Sequence, residues 1–229
     1  RSACVFPRSC RDSAISRLPS GSWARRRASA SSCSGTARSN AARPAYARPI
    51  AALSRAGNLS DVAAAVAAGV RVVQYRQKQG RTLDLVAEAR QLRQLCRHIR
   101  FLVNDRVDLV LEVGADGVHL GQEDLPCPEA RNMLGPEKII GVTVHNVAEA
   151  LAAQAAGADY LGVSPIFSTA TKVDAGAPAG IALLAEIRRR VNLPLVAIGG
   201  ITLANAPAVI EAGADAVCAI AAVVTKPDA

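Results

Sequence analysis

Several short stretches of the sequence carry polar side chains whose types and spacing suit phosphate chemistry. Gln74, Arg76 and Lys78 alternate with Tyr75 and Gln77. In an extended segment that alternation turns two cations and an amide to one side, which suits a polyanion. A solvated loop with snorkelling stems has the same spacing. Asn104-Asp105-Arg106 and His119-Leu120-Gly121-Gln122-Glu123-Asp124 follow the next two apolar runs. If Asp105 and Asp124 leave neighbouring parallel strands, about 4.8 Å apart, both carboxylates can reach one cation. Mg2+ fits that donor set, since it takes one or two carboxylates and fills its shell with water and phosphate oxygens. Taken singly, Asp105 could instead cap a helix starting near Arg106.

Further along, Ser168, Thr169 and Thr171 offer hydroxyls and Lys172 an ammonium, again matched to phosphate oxygens or else to a plain polar loop. Gly199 and Gly200, and the small residues after the run ending near Ile220 and Ala221, let backbone N–H groups approach an anion. Thr143 and His145 follow the run Ile139–Val142, and either is structural as readily as functional. The two kinds of anion site, one cationic and metal-assisted and one of neutral backbone, imply two phosphorylated substrates or one phosphorylated at both ends.

The elements that must hold these residues alternate. Apolar runs at 70–75, 99–103, 117–120, 138–142, 159–163, 193–198 and 215–220 read as strands. Helical periods occupy 82–96, 107–113, 147–156, 181–190 and 203–212, and another helix is capped by Asn58 or Ser60 and runs to Gly69. A phrase recurs: Gly114-Ala115-Asp116, Gly157-Ala158-Asp159 and Gly213-Ala214-Asp215, with Gly69-Val70-Arg71 a looser copy. In each, glycine closes a helix and the next residues open a buried strand.

Seven strands in βα order, and no Gly-x-Gly-x-x-Gly after the first, favour a (β/α)8 TIM barrel over a dinucleotide fold. Its chemistry would sit at the carboxyl ends of the strands. An eighth strand must come from about Tyr46–Leu53, a poor strand sequence, and the chain stops at Ala229, too soon for a full last helix. The expectation is therefore a (β/α)8 TIM barrel, with its first strand and last helix the places where it could be incomplete.

Charge divides the chain of 229 residues in two. Residues 1–55 hold eleven arginines and one acid (Asp12), a balance of +10, whereas the remainder holds 16 basic and 18 acidic residues, −2. Residues 1–45 read as a basic leader, disordered or non-native, whose composition also fits an organelle transit peptide. Residues 46–229 form the barrel domain. The slightly acidic balance of residues 56–229 and the scarce aromatics argue against nucleic-acid binding. The longest uncharged run, Val191–Ile210, contains Pro194, Gly199, Gly200 and Pro207 and does not suit a membrane span. Cys96, Cys127 and Cys218 are widely spaced, which fits a reducing compartment such as the cytoplasm rather than a disulfide framework. A homo-oligomer is compatible with all of this.

Gln74-x-Arg76-x-Lys78, Asn104-Asp105-Arg106, Gly117–Asp124, Pro165–Lys172 and Ala197–Ile201 together resemble the thiamine phosphate synthase family over about residues 58–225. The resemblance implies a transferase. It would join 4-amino-2-methyl-5-hydroxymethylpyrimidine diphosphate to 4-methyl-5-hydroxyethylthiazole phosphate, with release of pyrophosphate. Gln74, Arg76, Lys78 and Asn104 would bind the pyrimidine diphosphate, and Asp105 and Asp124 would hold Mg2+ on it. Thr143 would stand beside the reacting centre, where the family usually has serine. Thr169 and Thr171 would face the thiazole phosphate's side of the pocket, and Lys172 would contact pyrophosphate. Gly200 and the backbone of Ile220 and Ala221 would cradle the thiazole phosphate. Arg76, Thr143 and Lys172 would be the catalytic set.

The sequence departs from the family's pattern at Ser164, where glycine is common, at Ala221, where serine is usual, and in its unrecognisable first strand. Two alternatives share the scaffold. One is a thiazole tautomerase relying on a histidine near His145, the other a non-catalytic binder of phosphorylated ligands.

Overall fold

The computed structural model describes residues 50–54, 59–77, 80–168 and 178–219. The chain opens with β1 (Ile50–Ser54), α1 (Leu59–Ala67), β2 (Val72–Arg76) and α2 (Thr82–Leu95). It continues through β3 (Arg100–Asn104), α3 (Val107–Val113), β4 (Gly117–Leu120) and α4 (Cys127–Leu134). Then come β5 (Ile139–Val144), α5 (Val147–Ala155), β6 (Tyr160–Val163) and α6 (Gly180–Arg190), and last β7 (Leu195–Ile198), α7 (Ala206–Glu211) and β8 (Ala216–Ala219). Every strand pairs in parallel with its sequence neighbour, and β1 also pairs with β8, so the sheet closes as an eight-stranded barrel.

The poor strand that the sequence places near residues 46–53 is present at Ile50–Ser54, and the ring is complete there. Ile50 pairs with Val72 on one side and with Cys218 on the other. A weak strand sequence placed between two waiting edges gains a ladder on both sides, and that context outweighs its own preference. The question of the last helix falls on residues after 219, outside the described ones.

Two local expectations also change. β5 runs on to Val144 and takes in Thr143, which the sequence put just beyond the strand. The α4 helix was not legible; it is short, and its buried residues Cys127, Ala130 and Leu134 leave only a narrow stripe broken by Arg131 and Asn132.

Alternation along the strands sorts side chains into two layers. Val73, Tyr75, Phe101, Val103, Val118, Leu120, Ile140, Val142, Leu161 and Val163 face outward into one core shared with the helices. Inside the ring lies a smaller apolar group of Val196, Ala216 and Cys218, packed with Tyr160 and Ile198.

The recurring Gly-Ala-Asp phrase has a structural meaning at the amino ends of the strands. Asp116 accepts from the Phe101 N–H (2.8 Å), Asp159 from Ile140 (2.8 Å) and Asp215 from Leu195 (2.9 Å). The same aspartates donate their own N–H groups back to the carbonyls of Phe101, Ile140 and Leu195, each at 2.8 Å. An arginine closes each clamp from the even-numbered helix before it: Arg93 of α2, Arg131 of α4 and Arg188 of α6. The clamps lock β3 to β4, β5 to β6 and β7 to β8. In the looser first copy Arg71 stands where the aspartate would be.

Candidate active site

The carboxyl ends of the strands gather the polar residues. On β2, Tyr75 points outward and its hydroxyl donates to Glu88 of α2 at 2.6 Å; burial, then that carboxylate, push the phenol's pKa up. Its neighbour Gln74 therefore faces the interior, where it is buried. Arg76 shares the Gln74 face by alternation. The Gln74 amide donates to Asn104 Oδ1 at 2.6 Å, and the Asn104 amide donates in turn to Asp105 Oδ1. Three residues expected to act together are thus linked across β2 and β3.

Asp105 has a left-handed backbone, φ 63°, unique to it among the described non-glycine residues. Aspartate tolerates that region better than most side chains, yet the conformation is sparsely populated and recurs at functional sites. Its N–H donates to the His119 carbonyl at 2.9 Å, which pins it against β4. Asp105 is not the cap residue of the helix that follows: the N-cap of α3 is Arg106, whose side chain makes no capping bond. Arg106 instead grips Asp108 through two hydrogen bonds, 2.8 and 2.6 Å. That contact lowers the carboxyl's pKa and raises the guanidinium's.

Asp124 lies in the loop after β4. Its Oδ2 accepts from the Gly121 N–H at 2.6 Å, and a Cβ on Gly121 would sit only 3.0 Å from that oxygen. Asp105 Oδ1 and Asp124 Oδ2 each accept a hydrogen bond that helps fix the carboxylate. They stand after adjacent strands, the hard oxygen donors that Mg2+ accepts alongside water and phosphate. Among the described residues no cluster of three or more His, Cys, Asp or Glu side chains forms a metal site. The donor set fits an ion shared with a substrate phosphate rather than one caged by protein.

Thr143 and His119 meet inside the ring. His119 Nε2 lies 2.7 Å from Thr143 Oγ1 and its Nδ1 2.7 Å from the Tyr160 hydroxyl, with the two rings stacked at 5.4 Å. The Gln122 amide donates to the Thr143 carbonyl. His145 takes a different part. Its N–H and Nδ1 both contact Glu149 Oε2, while Asn146 caps α5 by accepting from the Glu149 N–H at 2.9 Å. His145 therefore belongs to a capping arrangement at a helix start.

At the far side, the loop after β6 runs along the end of β7, with Ile166 donating to the Ile198 carbonyl and Phe167 to that of Gly199. Gly200 sits at φ 63°, and a Cβ there would lie 2.7 Å from both Phe167 Cβ and Ser168 O. Glycine is thus required at Gly200, which with Ile220 and Ala221 makes up the phosphate cradle that the resemblance implies. Lys78, Thr169, Thr171, Lys172, Ile220 and Ala221 lie outside the described residues.

The chain has known relatives. Residues 50–223 match the family described as thiamine monophosphate synthase. The chain belongs to the thiamine monophosphate synthase family. A thiamine-phosphate synthase from Methanosarcina barkeri is 50% identical over 177 residues, which covers 77% of this chain and 80% of that protein. One from Chloroflexus aurantiacus is 51% identical over 169 residues, 73% of this chain and 78% of that protein. Among solved structures, thiamine phosphate pyrophosphorylase from Pyrococcus furiosus is similar with TM-score 0.73 and 37% identity, over 79% of this chain and 89% of that one. An N-acetylmannosamine-6-phosphate 2-epimerase from Clostridium perfringens, at TM-score 0.60 and 13% identity over 83% of this chain and 94% of that one, shares the fold alone.

Within this family member, sequence reasoning passed over His119 and Tyr160. The signal was present in the glycines on the neighbouring strands. A Cβ at Gly141 would lie 2.1 Å from the Tyr160 ring, and one at Gly162 would lie 2.9 Å from His119 Cε1. Glycines in facing strands mark a large side chain between them.

Proposed function

We propose that this chain is a thiamine phosphate synthase. It condenses 4-amino-2-methyl-5-hydroxymethylpyrimidine diphosphate with 4-methyl-5-hydroxyethylthiazole phosphate. The bond from the pyrimidine methylene carbon to the diphosphate oxygen breaks and pyrophosphate leaves with its electron pair. The thiazole nitrogen then supplies the pair that forms the new C–N bond. The aminopyrimidine ring stabilises the intervening cation, so no side-chain nucleophile is needed.

The observation that carries this reading is the linked set Gln74–Asn104–Asp105 at the interior mouth of a family barrel. In it, Gln74, Arg76, Lys78 and Asn104 bind the pyrimidine diphosphate. Asp105 and Asp124 would hold Mg2+ beside the diphosphate, where the ion would supply charge neutralisation of the leaving group. Arg76 and Lys172 add positive charge on the same oxygens, which is electrostatic stabilisation of the transition state. Thr143 stands beside the reacting centre, and Thr169 and Thr171 face the thiazole phosphate. Gly200 with the backbone of Ile220 and Ala221 cradles that phosphate. The wide spacing of Cys96, Cys127 and Cys218 suits a reducing compartment such as the cytoplasm, and among the described residues no helix is long and apolar enough to cross a membrane. His145, which a tautomerase would use, is engaged with Glu149 in the start of α5.

Pyrophosphate release measured with both substrates and Mg2+ tests the proposal. Asp105→Asn and Lys172→Ala are each expected to slow it by about 10²-fold or more, as loss of a main electrostatic element does. Turnover indifferent to EDTA, or surviving both substitutions, overturns it.

A further inference from the structure

We propose that Tyr160 and His119 are positioning residues that set Thr143 as a hydrogen-bond donor directed at the barrel mouth. The inference rests on the synthase reading, in which Thr143 stands beside the reacting centre. Its basis is a continuous chain of short contacts. The Tyr160 hydroxyl lies 2.7 Å from His119 Nδ1, and His119 Nε2 lies 2.7 Å from Thr143 Oγ1. Tyr160 opens β6, whereas Thr143 is near the carboxyl end of β5. Register pairs Gly141 with Tyr160 and Thr143 with Gly162, so the chain climbs the interior wall from the barrel floor toward the mouth.

Direction follows from what surrounds the phenol. Tyr160 packs against Val196, Ala216, Cys218 and Ile198, an apolar group. Burial, then Cys218, push its pKa up, so the hydroxyl keeps its proton. A buried O–H needs an acceptor, and the imidazole nitrogen facing it meets that need. A neutral imidazole has one donor and one acceptor nitrogen. If Nδ1 accepts from Tyr160, Nε2 carries the hydrogen and donates to Thr143 Oγ1. With its oxygen accepting from the ring, the threonine hydroxyl directs its own hydrogen elsewhere. Toward the mouth, that donor meets an oxygen of the departing diphosphate, where negative charge grows. The opposite tautomer would make Thr143 donate downward and present only lone pairs to an anion.

Gly141 and Gly162 leave room for the relay, since a Cβ at either would strike one of its rings. Stacking at 5.4 Å holds the imidazole plane. His119 is also tied to the carboxylate side of the mouth, because its carbonyl accepts from the Asp105 N–H.

The tautomer of His119 is read directly from its ring nitrogen shifts by NMR of the full chain labelled with 15N-histidine. Hydrogen on Nε2 is expected; hydrogen on Nδ1 overturns the proposal, whatever the kinetics. Tyr160→Phe is then expected to lower kcat by up to about 10-fold, as loss of one hydrogen bond acting on the transition state does, with KM for both substrates nearly unchanged. In the Thr143→Val background, itself about 10²-fold slower, the same change should cost nothing further, because Tyr160 acts through that hydroxyl. Multiplying losses in the double variant would mean that Tyr160 acts independently and would sink the relay. If Tyr160→Phe fails to fold, the spectrum of the unaltered protein decides alone. If the unaltered protein releases no pyrophosphate, the synthase reading fails, while the spectrum still reports whether the relay runs in the stated direction.

Discussion

At Asp105 a carboxylate and a left-handed backbone coincide at the rim of the barrel. The two requirements separate by substitution. Asparagine keeps the short polar side chain that makes φ near +60° tolerable but removes the charge; alanine removes both. Asp105→Asn is therefore expected to be the more stable variant by about 1 kcal/mol. Urea denaturation checks this, through a higher midpoint at equal slope. Equal midpoints would mean that the conformation costs little at this site. Both variants should lose turnover, since the charge is what they share in losing.

Among elements, the Gly-Ala-Asp clamps divide the barrel into strand pairs. Each aspartate joins an N–H at the start of the earlier strand, its own backbone link and an arginine from the helix between pairs. For Asp159 these are Ile140 N at 2.8 Å and Arg131 Nη2 at 2.5 Å. Arg131 also donates to the carbonyls of Gly135, Lys138 and Gly157, so it ties α4, β5 and the turn into β6 together. Charge-assisted hydrogen bonds of this kind contribute about 1.5–3 kcal/mol. Asp159→Asn keeps the shape and is expected to lower stability by about that amount, seen as a lower urea midpoint, with KM values unchanged because the clamp lies at the floor. A fall in substrate affinity without loss of stability would contradict this division between floor and rim.

For the whole molecule, closure through β1 is the decisive event. Ala51 takes part in both ladders, opposite Val73 of β2 and Ala219 of β8. Proline there removes a ladder N–H from a strand that has no open edge and leaves a strand carbonyl without its donor, which costs about 1–3 kcal/mol. Ala51→Pro is expected to lower the thermal midpoint sharply and to increase aggregation through the exposed edges of β2 and β8. An unchanged midpoint would show that closure adds little.

The folded state also holds Tyr75 and Tyr160 as phenols with raised pKa, chiefly through burial. A tyrosine in the unfolded chain ionises near about pH 10. Below that, both states keep the proton and the stabilisation is complete. Above it, the unfolded chain releases protons that the folded one retains, so stability falls as pH rises. The urea midpoint should decline above about pH 10, and Tyr75→Phe should flatten part of the slope. A midpoint indifferent to alkaline pH would refute the burial of these hydroxyls.

Much of this was legible along the chain because it is periodic. The βα alternation, the glycine C-caps and the polar residues after each apolar run follow from local periodicity, and local forces set them. Val107–Val113 closed by Gly114, and Gly117–Leu120, stand where the sequence put them. The pairing of Gln74 with Asn104 was expected only as common purpose. Their hydrogen bond depends on which strands become neighbours, a relation between residues 30 positions apart.

Three matters were settled only by tertiary structure. One was that a weak segment at Ile50–Ser54 becomes a strand, because two free edges await it. Another was that the aspartates of the repeated phrase clamp backbone rather than face substrate. The third was that His119, Thr143 and Tyr160 meet inside the ring, where glycines on β5 and β6 make room. Side-chain type and spacing decide what a residue can do. Only the closed sheet, which brings distant strands within hydrogen-bond reach and shuts water out, decides which of them do it together.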